Sequence, residues 1–378
     1  MRKLPPKELE IGMITAEPIK TPAGQLLAPE GTEITRQLIN RMKLYRVECA
    51  MVEGEDSVSE PAVAETVSAT TPEPPKAHKT HAEESQTHSQ KVATSSEFRT
   101  FQLTYFDVIN QMKEAFTGLV DRGEPINTEK LLTSVSDLFL SRNTIAELFD
   151  MLYNMRAIND SMYAHCLNVA LISRMIGRWL KYGTHDLDML TLAGLLHDIG
   201  KIKIPEEILN KPGALTDEEF AMIKQHPKLG YDILKSQTLD PRIKKAALMH
   251  HERCDGSGYP TGLTEDFIDS YAMIVAIADV YDAMTAARSY RSPLCPFQVI
   301  SNFEKDGYQK FETRYILTFL KQIAITYQSN RVMLSDGRGC NIVMLNPNAL
   351  SRPVVQFDDN SCLDLSTADK SLYIKAVL

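Results

Sequence analysis

Six histidines fall between residues 165 and 251, and several of them stand directly beside another potential metal ligand. His197 is followed by Asp198 and, one turn later, by Lys201, in the stretch HDIGK. His250 and His251 open HHERCDGSGYP, residues 250–260. His165, His185, His226 and Asp279 lie elsewhere in the same segment. Mixed imidazole and carboxylate donors suit iron, manganese, zinc or nickel better than calcium or magnesium alone. Five histidines (His165, His197, His226, His250, His251) and two aspartates (Asp198, Asp279) exceed the needs of one ordinary centre. They point to two cations about 3.5–4 Å apart, with a carboxylate such as Asp198 as the bridge. Such a pair acidifies a water and makes hydroxide near neutral pH.

Each residue has a plainer account when taken alone. His165 on an apolar helix could be a core histidine. His226, before Pro227, could end a helix, and His250-His251 could favour a helix C-terminus through the dipole. The carboxylates are harder to explain away. Asp279, inside AMIVAIADVYDAM, is costly to bury unless it is paired or coordinates a cation, and Asp198 poses the same problem after TLAGLL. The coincidence of several such residues favours the metal.

The elements that must position these residues are mostly helical. From about Phe98 to Gln328 apolar residues recur at i, i+3, i+4 and i+7, as in SDLFLSRNTIAELFDMLYNMRAI and HCLNVALISRMIGRWLKYG. Gly183 is placed to stop the second of these. TDEEFAMIKQ opens with a capping box, Thr216 to Glu219. DPRIKKAALMHH has a cap aspartate and Pro241 at the first helical position. DSYAMIVAIADVYDAMTAARSY reads as a buried central helix. Adjacent helical residues point about 100° apart, so His250 and His251 reach one cluster only if their helix ends there. The Asp255-Gly256-Ser257-Gly258 turn allows that end, with Gly256 and Gly258 free to take positive φ.

Flanking segments differ in pattern. Residues 1–53 read as a small α+β unit, with Thr35 capping a helix that carries Leu38, Ile39, Met42 and Leu44, and RVECAMVE as a strand. Residues 54–96 are rich in Ser, Thr, Pro, Ala and Glu and read as a disordered linker; their His78, His81 and His88 are irregularly spaced and solvated. Residues 97–157 form a helical lead-in and 158–329 the central helical domain. Residues 330–378 return to strand patterns broken by Asp-Gly and Asn-Pro turns, a small antiparallel β subdomain. The expected fold is mainly α.

Bulk properties narrow the function. A net charge of −8 argues against DNA and anionic membranes as general partners. Six scattered cysteines without a C-x-x-C pair form neither a disulfide framework nor a thiolate zinc site, which fits a reducing, cytoplasmic setting. The N-terminal stretch lacks the apolar region of a signal peptide, and no apolar run approaches the ~20 residues of a membrane span.

HDIGK (197–201) and HHERCDGSGYP (250–260), in this order and about fifty residues apart, resemble the HD-GYP domain, a branch of the HD superfamily of metal-dependent phosphohydrolases. The motif-level match covers roughly residues 158–300. It implies an HD-type helical bundle. It implies that His165, His197, Asp198 and Asp279 hold a first metal, and that His226, His250 and His251 hold a second, with Asp198 between them. Lys201 matches a lysine that contacts the scissile phosphate or the attacking hydroxide. Tyr259, and Arg288 and Arg291 of RSYR, match residues that hold substrate. Glu252, Asp255, Gly256, Gly258 and Pro260 shape the loop and support the ligands. Tyr259 can equally pack that loop.

The family's substrate is cyclic di-GMP. Some members carry a glutamate four residues before the first histidine, where it helps bind a third metal; here that residue is Ser161. The expectation is therefore a cytoplasmic phosphodiesterase with two divalent ions, iron or manganese ahead of zinc, nickel or magnesium, that makes linear pGpG. Diguanylate cyclase (GGDEF) proteins and a second copy of the chain, as a homodimer, are its further expected partners. Three other readings stand beside it: a sensor or docking module without turnover, a phosphohydrolase for another cyclic nucleotide, and a redox sensor whose two metals are irons.

Overall fold

The computed structural model describes residues 2–20, 26–34, 38–39, 42, 47, 49–52, 92–140, 145–156, 158–159, 161–211, 213–286 and 294–378. The chain divides into two compact units, residues 1–80 and 81–378.

The first unit contains two small antiparallel pairs. Strand β1 (Arg2–Leu4) pairs with β4 (Ala50–Val52), and β2 (Ile19–Lys20) pairs with β3 (Leu26–Ala28). Leu9, Ile34, Leu38, Ile39, Met42 and Val52 are buried between them. Thr35 and Leu44 of the expected helix lie outside the described residues.

The second unit is a helical bundle with a sheet against one end. Its helices are α1 (Ser96–Arg122), α2 (Thr128–Leu140), α3 (Ile145–Arg156), α4 (Met162–Trp179) and α5 (Thr184–Leu196). There follow a 3-10 turn (Ile199–Lys203), the short α6 (Glu206–Leu209) and α7 (Asp217–Ile223). Then come α8 (His226–Leu234), α9 (Pro241–Met249), α10 (Ser270–Thr285), α11 (Pro296–Lys310) and α12 (Thr313–Thr326). Among the described residues helical structure is already present at Val92, inside the stretch read as linker; Ser95 then caps α1 by accepting from the Phe98 N–H at 3.0 Å, and Phe98 and Phe101 are buried.

Strands β5 (Arg331–Leu334), β6 (Gly339–Met344), β7 (Val354–Gln356), β8 (Cys362–Asp364) and β9 (Ile374–Val377) form one antiparallel sheet in the order β8-β7-β6-β5-β9. Val332, Leu334, Ile342 and Ile374 share one core with the helices.

α10 is buried along most of its faces, as its apolar run requires. It packs with α4, α9 and α5, and these elements, with the start of α8, carry the clustered histidines. The Thr216 capping box and the Asp240 cap with Pro241 at the first position are present. Gly183 does not stop α4. It is the N-cap of α5, and the reversal falls at Lys181, which takes φ 62° while Tyr182 packs onto the core.

Candidate metal centre

The site lies where four helix ends and one buried helix converge. His165 projects from the first turns of α4, and His197 and Asp198 occupy the junction between α5 and the 3-10 turn. His226 is the first residue of α8. α9 stops at Met249, so His250 is its C-cap and His251 lies beyond the helix. Asp279 comes from α10.

Two groups of potential ligand atoms result, each within 4.8 Å: Asp198, His226, His250 and His251, and His165, His197 and Asp279. Asp198 joins them. Its Oδ2 lies 3.5 Å from His165 Nε2 and 3.4 Å from His197 Nε2, while its Oδ1 lies 3.2 Å from His226 Nε2 and 3.6 Å from His250 Nε2. His185 is left out, exposed in the first turn of α5.

Backbone carbonyls fix the imidazole tautomers. His197 Nδ1 donates to Gly194 at 2.7 Å, His226 Nδ1 to Ile223 at 2.7 Å, and His250 Nδ1 to Ala246 and Ala247 at 3.1 Å each. Each Nε2 of the neutral ring therefore turns a lone pair inward. His226 Nε2 and His250 Nε2 face one another at 3.2 Å, which is favourable only when a cation or proton lies between the lone pairs. The same reasoning denies a hydrogen bond to the 3.2 Å approach of His226 Nε2 to Asp198 Oδ1. Among the described residues, His197 Nε2 and Asp198 Oδ1 are buried without a hydrogen-bond partner. Orphaned polar atoms of this kind are costly unless something completes them. A divalent cation does so, and the donor set suits one.

The electrostatics agree. Burial works against the Asp198 and Asp279 carboxylates. The positive neighbours, Lys201 first for Asp198 and His165 first for Asp279, outweigh it and hold both well below the usual range. Burial pushes His250 down to about 4, and burial with His250 beside it pushes His251 well below its usual value. Both rings are thus neutral, as ligands must be. Lys201 Nζ sits 2.5 Å from Asp198 Oδ2, and that charge keeps it protonated against burial.

The loop after His251 is held from within. Glu252 is buried and accepts from the N–H groups of Thr261, Gly262 and Leu263 at 2.8, 3.0 and 2.9 Å. Asp255 accepts from Ser257 N–H and Oγ at 3.0 and 2.6 Å. Gly256 takes φ +76°. Gly258 does not share that positive φ; it is required by close approach, since a Cβ there would lie 2.4 Å from Glu252 Cα and 2.5 Å from His251 O. Tyr259 stacks on His251, ring centroids 4.6 Å apart, ahead of a cis peptide to Pro260. It therefore packs the loop against a cluster residue. Ser161 caps α4 by accepting from Ala164 N–H at 3.2 Å. Arg288 and Arg291 lie outside the described residues.

Two residues were missed by the sequence reading. Asp282, one turn after Asp279, brings Oδ2 to 2.8 Å from His165 Nδ1, and its Oδ1 takes Nε and Nη2 of Arg156 at 2.8 and 2.6 Å. The available signal was a second carboxylate at i+3 in a buried helix; Arg156 gave none.

Residues 128–312 match the HD domain family. That match takes in both HDIGK and HHERCDGSGYP, which supports the HD-GYP resemblance. It is 33% identical over 218 residues to the cyclic di-GMP phosphodiesterase PA4108 of Pseudomonas aeruginosa, covering 57% of this chain and 52% of that protein. It is 36% identical over 183 residues to the 3'3'-cGAMP-specific phosphodiesterase 2 of Vibrio cholerae, covering 48% and 35%. The chain thus spans about half, or less, of the length of these curated relatives. Bd1817, an HDG"Y"P protein from Bdellovibrio bacteriovorus, shares the fold, with TM-score 0.51 and 17% identity over 84% of this chain and 97% of that one. No helix among the described residues is long and apolar enough to cross a membrane.

Proposed function

We propose that this chain is a cytoplasmic phosphodiesterase that hydrolyses cyclic di-GMP to linear pGpG at a dinuclear centre. The observation that carries this reading is the placement of Asp198, one oxygen toward each group of ligands, with its Oδ1 and His197 Nε2 buried and orphaned. His165, His197 and Asp279 would hold one divalent ion, and His226, His250 and His251 the other. Asp198 lies between them. Iron or manganese fits the mixed donors best. When bound, such ions supply an acidified water and neutralise charge on the phosphoryl oxygens.

The chain's own groups do the rest. Backbone carbonyls orient three of the ligand imidazoles, so that little reorganisation is needed at the site. Lys201, charged and one-quarter exposed beside Asp198, offers its ammonium to the scissile phosphate. The arginine pair Arg288 and Arg291 serves the same substrate by bidentate phosphate or guanine contacts. Diguanylate cyclase (GGDEF) proteins and a second copy of the chain complete the partners of this reading.

A second substrate is favoured by the similarity to a 3'3'-cGAMP-specific relative, because both molecules present the same phosphodiester to the same centre. The deciding experiment is anaerobic purification, metal analysis, and turnover of cyclic di-GMP and 3'3'-cGAMP with pGpG resolved from GMP. Faster turnover of cyclic di-GMP, stopping at pGpG in protein with two ions per chain, supports the first reading. Turnover of 3'3'-cGAMP alone moves the assignment to the second, and tight binding without product makes the chain a sensor.

A further inference from the structure

Beyond the ligand cluster, one line of side chains leads outward. The Tyr259 ring stacks on His251 at 4.6 Å and 26°. The Lys224 ammonium lies 5.5 Å from the Tyr259 centroid and 4.6 Å from that of Phe220. Phe220 is on α7 and Lys224 is the C-cap of that helix, one turn later, just before His226. An (i, i+4) Phe-Lys pair on a surface helix would ordinarily be unremarkable. Here three observations set it apart. Phe220 leaves 45% of its surface exposed on a short helix that carries no buried residue. Lys224 has no carboxylate within 4.0 Å among the described residues, whereas its neighbours Lys201 and Lys211 are paired with Asp198 and Glu219. The ladder ends on His251, a residue of the cluster.

We propose that Phe220 and Lys224 form an outer subsite for the cyclic dinucleotide. The Phe220 ring stacks on a purine, and the Lys224 ammonium pairs with the phosphate that is not being cleaved. The proposal rests on the cyclic-dinucleotide reading of the site. An exposed aromatic face is a sequence-tolerant platform for any purine, so this subsite serves cyclic di-GMP and 3'3'-cGAMP alike. An ammonium held over two aromatic faces, with no carboxylate to release, meets a phosphate as a point charge without breaking an ion pair.

The test uses the full chain with Phe220→Leu, Phe220→Tyr and Lys224→Met. Steady-state turnover of cyclic di-GMP is read beside calorimetric titration of the same nucleotide into metal-stripped protein. Phe220→Leu and Lys224→Met should each raise KM and Kd about tenfold, with kcat changed less than about twofold, and Phe220→Tyr should restore both constants. Metal content and circular dichroism show that each variant is folded. Unchanged KM and Kd in both Phe220→Leu and Lys224→Met, in protein whose wild type binds the nucleotide, overturn the subsite alone. A wild type that cleaves bis(p-nitrophenyl) phosphate but neither binds nor cleaves a cyclic dinucleotide overturns the substrate reading, and the subsite with it.

Discussion

Asp282 places one carboxylate oxygen 2.8 Å from Nδ1 of His165, and through the other it holds the buried Arg156 guanidinium at 2.6 Å. His165 is thereby oriented with Nε2 toward Asp279 and Asp198, at 3.1 and 3.5 Å. This is the carboxylate–histidine arrangement that fixes tautomer and ring angle in metal sites. Burial raises the Asp282 carboxyl, but the Arg156 charge, then His165, prevail and keep it ionised.

Asp282→Asn is therefore expected to lower metal affinity by about 10- to 100-fold with the fold retained. Arg156→Ala strands a buried carboxylate and should cost about 3–5 kcal/mol of stability. Chelator competition measures the first and denaturant unfolding of metal-free protein the second. Wild-type affinity in Asp282→Asn would remove Asp282 from the site.

Much of this centre was legible because its residue types are rare in apolar helices and its helix ends carry their own signals. Asp240 and Pro241 start α9, and an Asp-Gly-Ser-Gly turn follows the point where it stops, so His250 and His251 could be placed beyond a helix end from local chemistry. The Arg156–Asp282 pair is separated by 126 residues and depends on how α3 meets α10, which no local pattern encodes. Gly258 was misread for a related reason. Its need is a tertiary approach to Glu252 and His251, while only a positive φ is visible as a turn signal. Gly183 sits between two helices and could serve either; packing of Tyr182 assigned it to the second.

Asp198→Ala should empty both groups at once, since its two oxygens face both. Bound metal and hydrolysis are expected to be lost together, whereas His251→Ala should spare the ion at His165, His197 and Asp279. Metal counts on the two purified variants make the comparison. Wild-type-like metal content and turnover in Asp198→Ala would sink the dinuclear model.

Gly258→Ala introduces a Cβ 2.4–2.5 Å from three backbone atoms of residues 251–253. The loop must move, and Tyr259 and His251 move with it. A loss of about 1–3 kcal/mol is expected, along with weaker metal binding at the His226, His250, His251 group. Gly256→Ala meets its nearest neighbours at 3.5 Å and is strained only by its φ of +76°. It should therefore cost less than Gly258→Ala in the same thermal melt.

Metal binding and protonation are linked through His165. Burial opposes charge on this imidazole, but hydrogen bonds to Asp279 and Asp282 outweigh it and hold it up at about 10 in the metal-free protein. Its folded value is raised above the ordinary one, so its contribution to metal-free stability is full below about 6.5 and is lost as pH rises through about 10. A cation taking the Nε2 lone pair must expel that proton. At pH 8 metal binding should therefore release about one proton per His165, while His250, already down at about 4, releases none. Metal affinity should climb with pH between about 6.5 and 10 while the stability of the metal-free protein declines over the same interval. Calorimetry in two buffers of different ionisation enthalpy counts the proton. Asp282→Asn should reduce that count, because it removes one of the two carboxylates that hold the charge. A buffer-independent enthalpy in the wild type would contradict this linkage.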